Sequence, residues 1–178
     1  MSKASLGLHD QLPITSDNLL TILKDNRVEF KLYKHKPLYS VSESKIEQEL
    51  IFPINSNNVH IKNLYLRDKK KRNYLITCEQ DKNINLKTLK QKIKSDRLSF
   101  GSPDRLFQHL GVFPGAVSPF CMLNGIKNDV KFFCDYDLKQ YKKIYLHPFV
   151  NDMSVCLNID DLENFLKQYH ISIIWVNL

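Results

Sequence analysis

Residues 60–78 constrain the fold more than any other stretch. Leu64 and Leu66 alternate with Tyr65 and Arg67, and a second apolar run, Tyr74-Leu75-Ile76-Thr77-Cys78, follows a charged break. Alternation at a period of two marks a strand with one apolar face. The two runs form a hairpin whose tip is Asp68-Lys69-Lys70-Lys71-Arg72-Asn73. Extending the parity backwards puts Lys62 on the face of Leu64 and Leu66, where an unpaired ammonium is costly. Two readings account for it. The lysine lies at the strand's end and snorkels to solvent, or it is set in a pocket that receives an anion.

The rest of the chain reads as alternating short elements. Thr15-Ser16-Asp17 supplies capping side chains before Leu19, Leu20, Ile22 and Leu23, which predicts a short amphipathic helix. Val28 to Lys34 alternates as a strand, and a second short helix is expected from about Ser42 to Glu47. Leu86, Leu89 and Ile93 among lysines make a basic amphipathic helix. Leu98-Ser99-Phe100 is a short strand, and Ser102-Pro103-Asp104 starts a helix that ends at Gly111. Phe120 to Leu123 and Val130 to Cys134 are expected to form a hairpin around Asn124-Gly125. A helical turn at Asp135–Gln140, strands at Lys143–His147 and Met153–Leu157, a helix capped by Asn158 and a strand Ile171–Val176 complete the chain. Residues 1–13 lack periodicity and read as an N-terminal arm, and 14–178 as one domain. Hairpins mixed with segregated helices indicate α+β, with a mixed, mostly antiparallel sheet.

The net charge of +7 over 178 residues favours a polyanionic partner, although an excess of Lys, Asn and Ile also reads as coding bias. Cys78, Cys121, Cys134 and Cys156 are widely spaced, each in or beside an apolar run. They read as reduced thiols of a cytoplasmic protein rather than zinc ligands or a disulfide frame. No stretch resembles a signal peptide, and no apolar run is long enough to span a bilayer. Nucleophile-elbow, P-loop, dinucleotide and H-E-x-x-H motifs are absent, and the six histidines are scattered. What remains is the inward lysine, a Gly/Pro loop from Gly111 to Pro119 able to bring backbone N–H groups to a ligand, and a His-Pro at a strand break.

These residues carry a resemblance. His60-x-Lys62-Asn63-Leu64-x-Leu66-Arg67-Asp68-Lys69-Lys70, the Gly-x-x-x-Pro loop from Gly115 to Pro119, and His147-Pro148-x-x-Asn151 stand in the order and spacing of the YbaK/ProX-type aminoacyl-tRNA editing domains. Leu98-Ser99-Phe100-Gly101-Ser102-Pro103 and Leu157-x-x-x-Asp161-Leu162-x-x-Phe165-Leu166 also look like that family, so the likeness runs from about residue 16 to the end. The His-Pro element makes the chain look like the free-standing prolyl-tRNA editing branch. There are two departures: Val59 stands where the family usually has Gly, and Asn151-Asp152-Met153-Ser154 replaces Asn-Thr-Ala-Thr.

The resemblance implies a partly closed sheet flanked by helices, and a deacylase that hydrolyses the ester of mischarged tRNA(Pro), Ala-tRNA(Pro) first, at the 3′-terminal adenosine. The alternatives are a deacylase for Cys, Ser or Thr esters, or a catalytically silent tRNA-binding module. Lys62, Gly115 and His147 are the implied catalytic positions. His60, Asn63, Ala116, Val117, Ser118, Pro119 and Asn151 are the implied substrate positions, with N–H groups of 115–118 on the acyl carbonyl. Ideal alternation points Asn63 to the face opposite Lys62, so a bulge or twist is needed to bring both into one pocket. Lys69, Lys70, Lys71, Arg72, Lys87 and Lys90 are candidates for tRNA contact. No metal or cofactor is required. The expected partners are the acceptor end of tRNA(Pro) and a prolyl-tRNA synthetase or elongation factor, with the protein a monomer and no membrane involved.

Overall fold

The computed structural model describes residues 11–37, 45, 48, 51–52 and 57–178. The expected helix over 42–47 lies outside them except for Lys45. In chain order the elements are α1 (Ser16–Asp25), β1 (Phe30–Lys34), β2 (Asn58–Asp68), β3 (Asn73–Glu79), α2 (Leu86–Lys92), β4 (Leu98–Phe100), α3 (Pro103–Leu110), α4 (Met122–Gly125), β5 (Lys131–Asp135), β6 (Lys143–Leu146), β7 (Met153–Asn158), α5 (Ile159–Gln168) and β8 (Ile174–Val176). The expected helix starts hold. Thr15 Oγ1 accepts from Asn18 N at 3.2 Å, Ser102 caps α3 ahead of Pro103, and Gly111 ends α3 in the left-handed region at φ 71.

The strands form one mixed sheet in the order β1-β7-β6-β2-β3-β5-β8, with β4 attached to β2. β1–β7, β6–β7, β2–β3 and β2–β4 are antiparallel, while β2–β6, β3–β5 and β5–β8 are parallel. β2 is the longest strand and has partners along both edges. β3 pairs with it from Ile61 to Arg67; on the other edge β6 pairs at Asn58–His60 and β4 at Leu66–Asp68. Between those two patches the β2 edge has no strand partner among the described residues.

Both faces of the central strands are covered. The main core packs α1, α3, α4 and α5 onto one face through Leu19, Leu23, Leu110, Phe120, Phe165 and Leu166, all at most 1% exposed. Leu12, at the end of the expected arm, is buried in it. A second cluster on the other face joins Leu66, Tyr74 and Ile76 to Leu89 and Ile93 at α2. This explains why β3 reads as an unbroken apolar run rather than as an alternation.

One expected element is different. The hairpin around Asn124-Gly125 is replaced by a 3₁₀ turn, Pro119–Cys121, that runs into α4 and a second turn, Ile126–Asn128. A two-residue hairpin needs left-handed backbone at the turn. Gly125 instead sits at φ −61, and the left-handed residue is Asp129, φ 54, after the helical run. Gly125 serves close packing, since a Cβ there would meet Leu110 Cδ2 at 2.9 Å. β5 then pairs in parallel with β3. The expected C-terminal strand is shorter, with pairing only from Ile174.

The hairpin tip is held from inside. The Asp68 side chain is fully buried, and its carboxylate accepts from Arg72 Nε at 2.7 Å, Arg72 N at 3.0 Å and Tyr74 Oη at 2.9 Å. Burial alone would raise its pKa, but these hydrogen bonds together outweigh burial and hold it at about 2. The folded value lies below the ordinary one, so this stabilisation is complete above about pH 4 and is lost as pH falls towards 2. Asp68→Ala leaves the buried Tyr74 hydroxyl without its acceptor. It should cost about 1–3 kcal/mol in urea unfolding at pH 7.

Candidate active site

Carrying the β2–β6 ladder two residues and the β6–β7 ladder one residue past their last pairs explains the site. His60 pairs with Tyr145 and Leu146 with Val155, so Lys62, His147 and Ser154 stand level on β2, the end of β6 and β7. Side chains level with one another share a face. The structure brings them together around one cavity of about 90 Å³, which His60, Lys62, Asn63, Tyr145, His147 and Ser154 border. Gln48 and Gln80 close it with a reciprocal amide pair at 3.0 Å. Among the described residues no carboxylate lines it. At this size it suits a small acyl group, well below the roughly 300–1,000 Å³ of drug-sized pockets.

Lys62 is half-buried, and its ammonium donates to the Lys82 carbonyl. That carbonyl is fixed because Lys82 Nζ bridges the buried Asp135 at 2.6 Å and Asp137 at 2.8 Å. Lys62 has no carboxylate partner among the described residues. It is neither snorkelling freely nor neutralised, but is held at the cavity by a neutral dipole.

Asn63 needs no bulge. The β2–β3 register runs unbroken from Ile61 to Arg67, so Asn63 projects to the face opposite Lys62. There its Oδ1 accepts from the buried Thr77 hydroxyl at 2.6 Å, and its Nδ2 donates to Val117 O at 2.8 Å. Asn63 thus ties the Gly/Pro loop to the strand bordering the cavity. Gly115 sits at φ 91, which favours glycine. Ala116 N already donates to Phe113 O at 3.2 Å and Ser118 N to Cys121 Sγ at 3.3 Å. Of the expected acyl-carbonyl donors this leaves the N–H groups of Gly115 and Val117. Pro119 is buried at the start of the following 3₁₀ turn, and residues 115–119 are not among the lining residues.

The histidines are neutral by construction. His60 stacks on Tyr145 at 4.3 Å between centroids, and burial, then nearby His147, lower its pKa to about 4. His147 Nδ1 lies 2.9 Å from Met153 O, so it carries the proton and Nε2 is left as an acceptor. Burial lowers its pKa as well. Its loop is pinned from α1, where Ser16 Oγ donates to Pro148 O at 2.6 Å, and it contains buried Phe149 at φ 65. Asn151 lies in the same loop, half-buried.

Some site residues were not expected. Ser154, His35, Tyr145, Gln48 and Gln80 lie outside the expected set. The available signal was Ser154 itself, a hydroxyl inside the apolar run Met153–Leu157. The tRNA-contact candidates differ among themselves. Lys69 and Lys71 are exposed at the hairpin tip, Lys70 pairs with Asp96 at 3.2 Å, and Arg72 is engaged by Asp68. Lys87 and Lys90 line a separate groove with Arg97. Among the described residues no group of His, Cys, Asp or Glu could hold a metal ion, and no helix is long and apolar enough to cross a membrane.

The family model of the aminoacyl-tRNA editing domain matches residues 39–165. The chain belongs to the aminoacyl-tRNA editing family. Family and enzyme class are those expected from the motifs. The chain is 39% identical over 147 residues to the prolyl-tRNA editing protein ProX of Acetoanaerobium sticklandii, spanning 82% of this chain and 86% of that one. It is 34% identical over 113 residues to the mouse prolyl-tRNA synthetase associated domain-containing protein 1, spanning 61% and 66%. Among solved structures, a candidate trans-editing enzyme for prolyl tRNA synthetase superposes with a TM-score of 0.63 at 14% identity, over 92% of this chain and 97% of that one, a likeness of fold.

Imidazole chemical-shift titration checks the neutral site. His60 should titrate near pH 4 and His147 below 6.5. Both gain protons more readily when unfolded, so the stability they contribute is complete above pH 6.5 and declines as pH falls towards 4.

Proposed function

We propose that this editing domain deacylates mischarged tRNA(Pro), with Ala-tRNA(Pro) as its substrate. The observation that carries the reading is Lys62, an ammonium that among the described residues has no carboxylate partner and faces a small cavity bordered otherwise by neutral groups. Such a charge lacks an anionic partner, and the acceptor end of tRNA brings phosphate and ester oxygens. Lys62 binds the phosphate or ribose region of the terminal adenosine. Asn63 anchors the 115–118 loop on the opposite face of β2 and so steadies the strand that carries Lys62. An aminoacyl ester is already activated, and the vicinal ribose hydroxyl assists the attacking water. The protein therefore supplies orientation and charge rather than a nucleophile.

Selectivity follows from volume. A cavity of about 90 Å³ accepts the alanyl methyl and meets the prolyl ring with a clash. The tRNA backbone lies along exposed Lys69 and Lys71 and the groove of Lys87, Lys90 and Arg97, beside Phe100, which is 65% exposed and offers a flat surface for a base.

Three measurements test this. Lys62→Ala, shown folded by circular dichroism, should lower kcat/KM on Ala-tRNA(Pro) by about 100-fold or more; unchanged turnover removes Lys62 from the mechanism. On a panel of Ala, Cys, Ser, Thr and Pro esters of tRNA(Pro), alanyl should be cleaved fastest and prolyl spared. Binding without cleavage of any ester identifies a silent binding module instead. tRNA affinity should fall steeply between 50 and 200 mM salt, by about tenfold or more, with a shallower slope in a Lys69→Ala, Lys71→Ala double variant.

A further inference from the structure

Ser154 is 6% exposed, borders the cavity and sits inside an otherwise apolar strand. Its Oγ lies 2.9 Å from His35 Nε2, and His35 Nδ1 lies 2.8 Å from Lys36 O. A carbonyl only accepts, so the neutral His35 ring carries its proton on Nδ1, and its Nε2 accepts from the Ser154 hydroxyl. The serine's one hydrogen is thereby used, and it presents lone pairs to the cavity. His147, level with it on the neighbouring strand, is in the same state: Nδ1 donates to Met153 O, and Nε2 accepts. The two rings of His35 and His147 lie 6.0 Å apart. Asp152, whose backbone oxygen accepts from His35 N at 3.0 Å, adds negative charge at this end, and its buried Oδ1 has no hydrogen-bond partner among the described residues.

The cavity is therefore polarised across the sheet. Its β2 end carries a donor, the Lys62 ammonium, and its β7 end carries acceptors. β6 separates the two strands, which sets the ends roughly 10 Å apart. That span fits an α-amino ester with a hydrogen bond at each end.

We infer that Ser154, oriented by His35, is a specificity-determining residue that receives the α-amino group of the aminoacyl ester. The inference rests on the reading of the cavity as the acyl site. It adds a direction: ester and ribose towards Lys62, amino group towards Ser154 and His147, side chain between. Ser154 touches the substrate, and His35 is a positioning residue that acts through it. A serine free to rotate could donate or accept, whereas one whose hydrogen is held by His35 only accepts and so prefers an ammonium to an apolar group.

The experiment compares alanyl-tRNA(Pro) with propionyl-tRNA(Pro), which lacks only the amino group. Ser154→Ala should lower kcat/KM for the alanyl ester about tenfold and leave the propionyl ester within about twofold. Ser154→Thr should keep the wild-type preference. His35→Ala should lose the preference, and His35→Gln, which restores an acceptor for the serine hydroxyl, should recover part of it. An equal fall on both esters marks a structural role and overturns the inference, as does an unchanged alanyl-to-propionyl ratio in Ser154→Ala. Failure of the underlying reading shows separately, as a wild-type protein that cleaves no alanyl ester.

Discussion

Strand β2 is where the competing demands on this chain meet. Its backbone pairs with β3 along most of its length, while its other edge is shared between β6 at the start and β4 at the end. Its two faces are buried in different cores. A strand held on both edges and both faces cannot slip by one residue without exchanging Lys62 for Asn63 and Leu66 for Tyr65. That single register aligns the ammonium with His147 and Ser154. It also sends the carboxamide of Asn63 through the sheet to anchor a loop on the other side.

The polar chemistry around the cavity leaves the Lys62 ammonium without a carboxylate among the described residues. Asp68 is surrounded by donors, and Lys82 bridges two carboxylates. The imidazoles of His60 and His147 are held neutral by burial. Among the described residues Lys62 is met by a backbone carbonyl and no carboxylate. In a low-dielectric cleft an ammonium among neutral acceptors acts as a receptor for an anionic oxygen, because no carboxylate of the described residues competes for it.

Much of this was legible in the residues. The β2–β3 hairpin, the caps of α1 and α3 and the apolar stripe of α5 follow from local periodicity and capping chemistry. The hairpin around Asn124-Gly125 was misread because Asn-Gly is a turn signal only when the backbone can turn left-handed there. Packing of Gly125 against Leu110 kept it helical. Ser154 stands in the sequence only as the end of the departing element Asn151-Asp152-Met153-Ser154, and His35 belongs to no motif. They meet only because β1 lies against β7.

By itself the sequence determined that Lys62 and Asn63 point to opposite faces, since alternation is a property of the extended backbone. It also determined the family, through motifs whose order survives along the whole chain. Only the tertiary structure decided what each face meets. Strand pairing across residues far apart in the chain set Lys62, His147 and Ser154 in one row, and carried the Gly/Pro loop to Asn63 rather than into the cavity. Those pairings depend on which edges and faces find partners when the chain closes up, and no local periodicity encodes that.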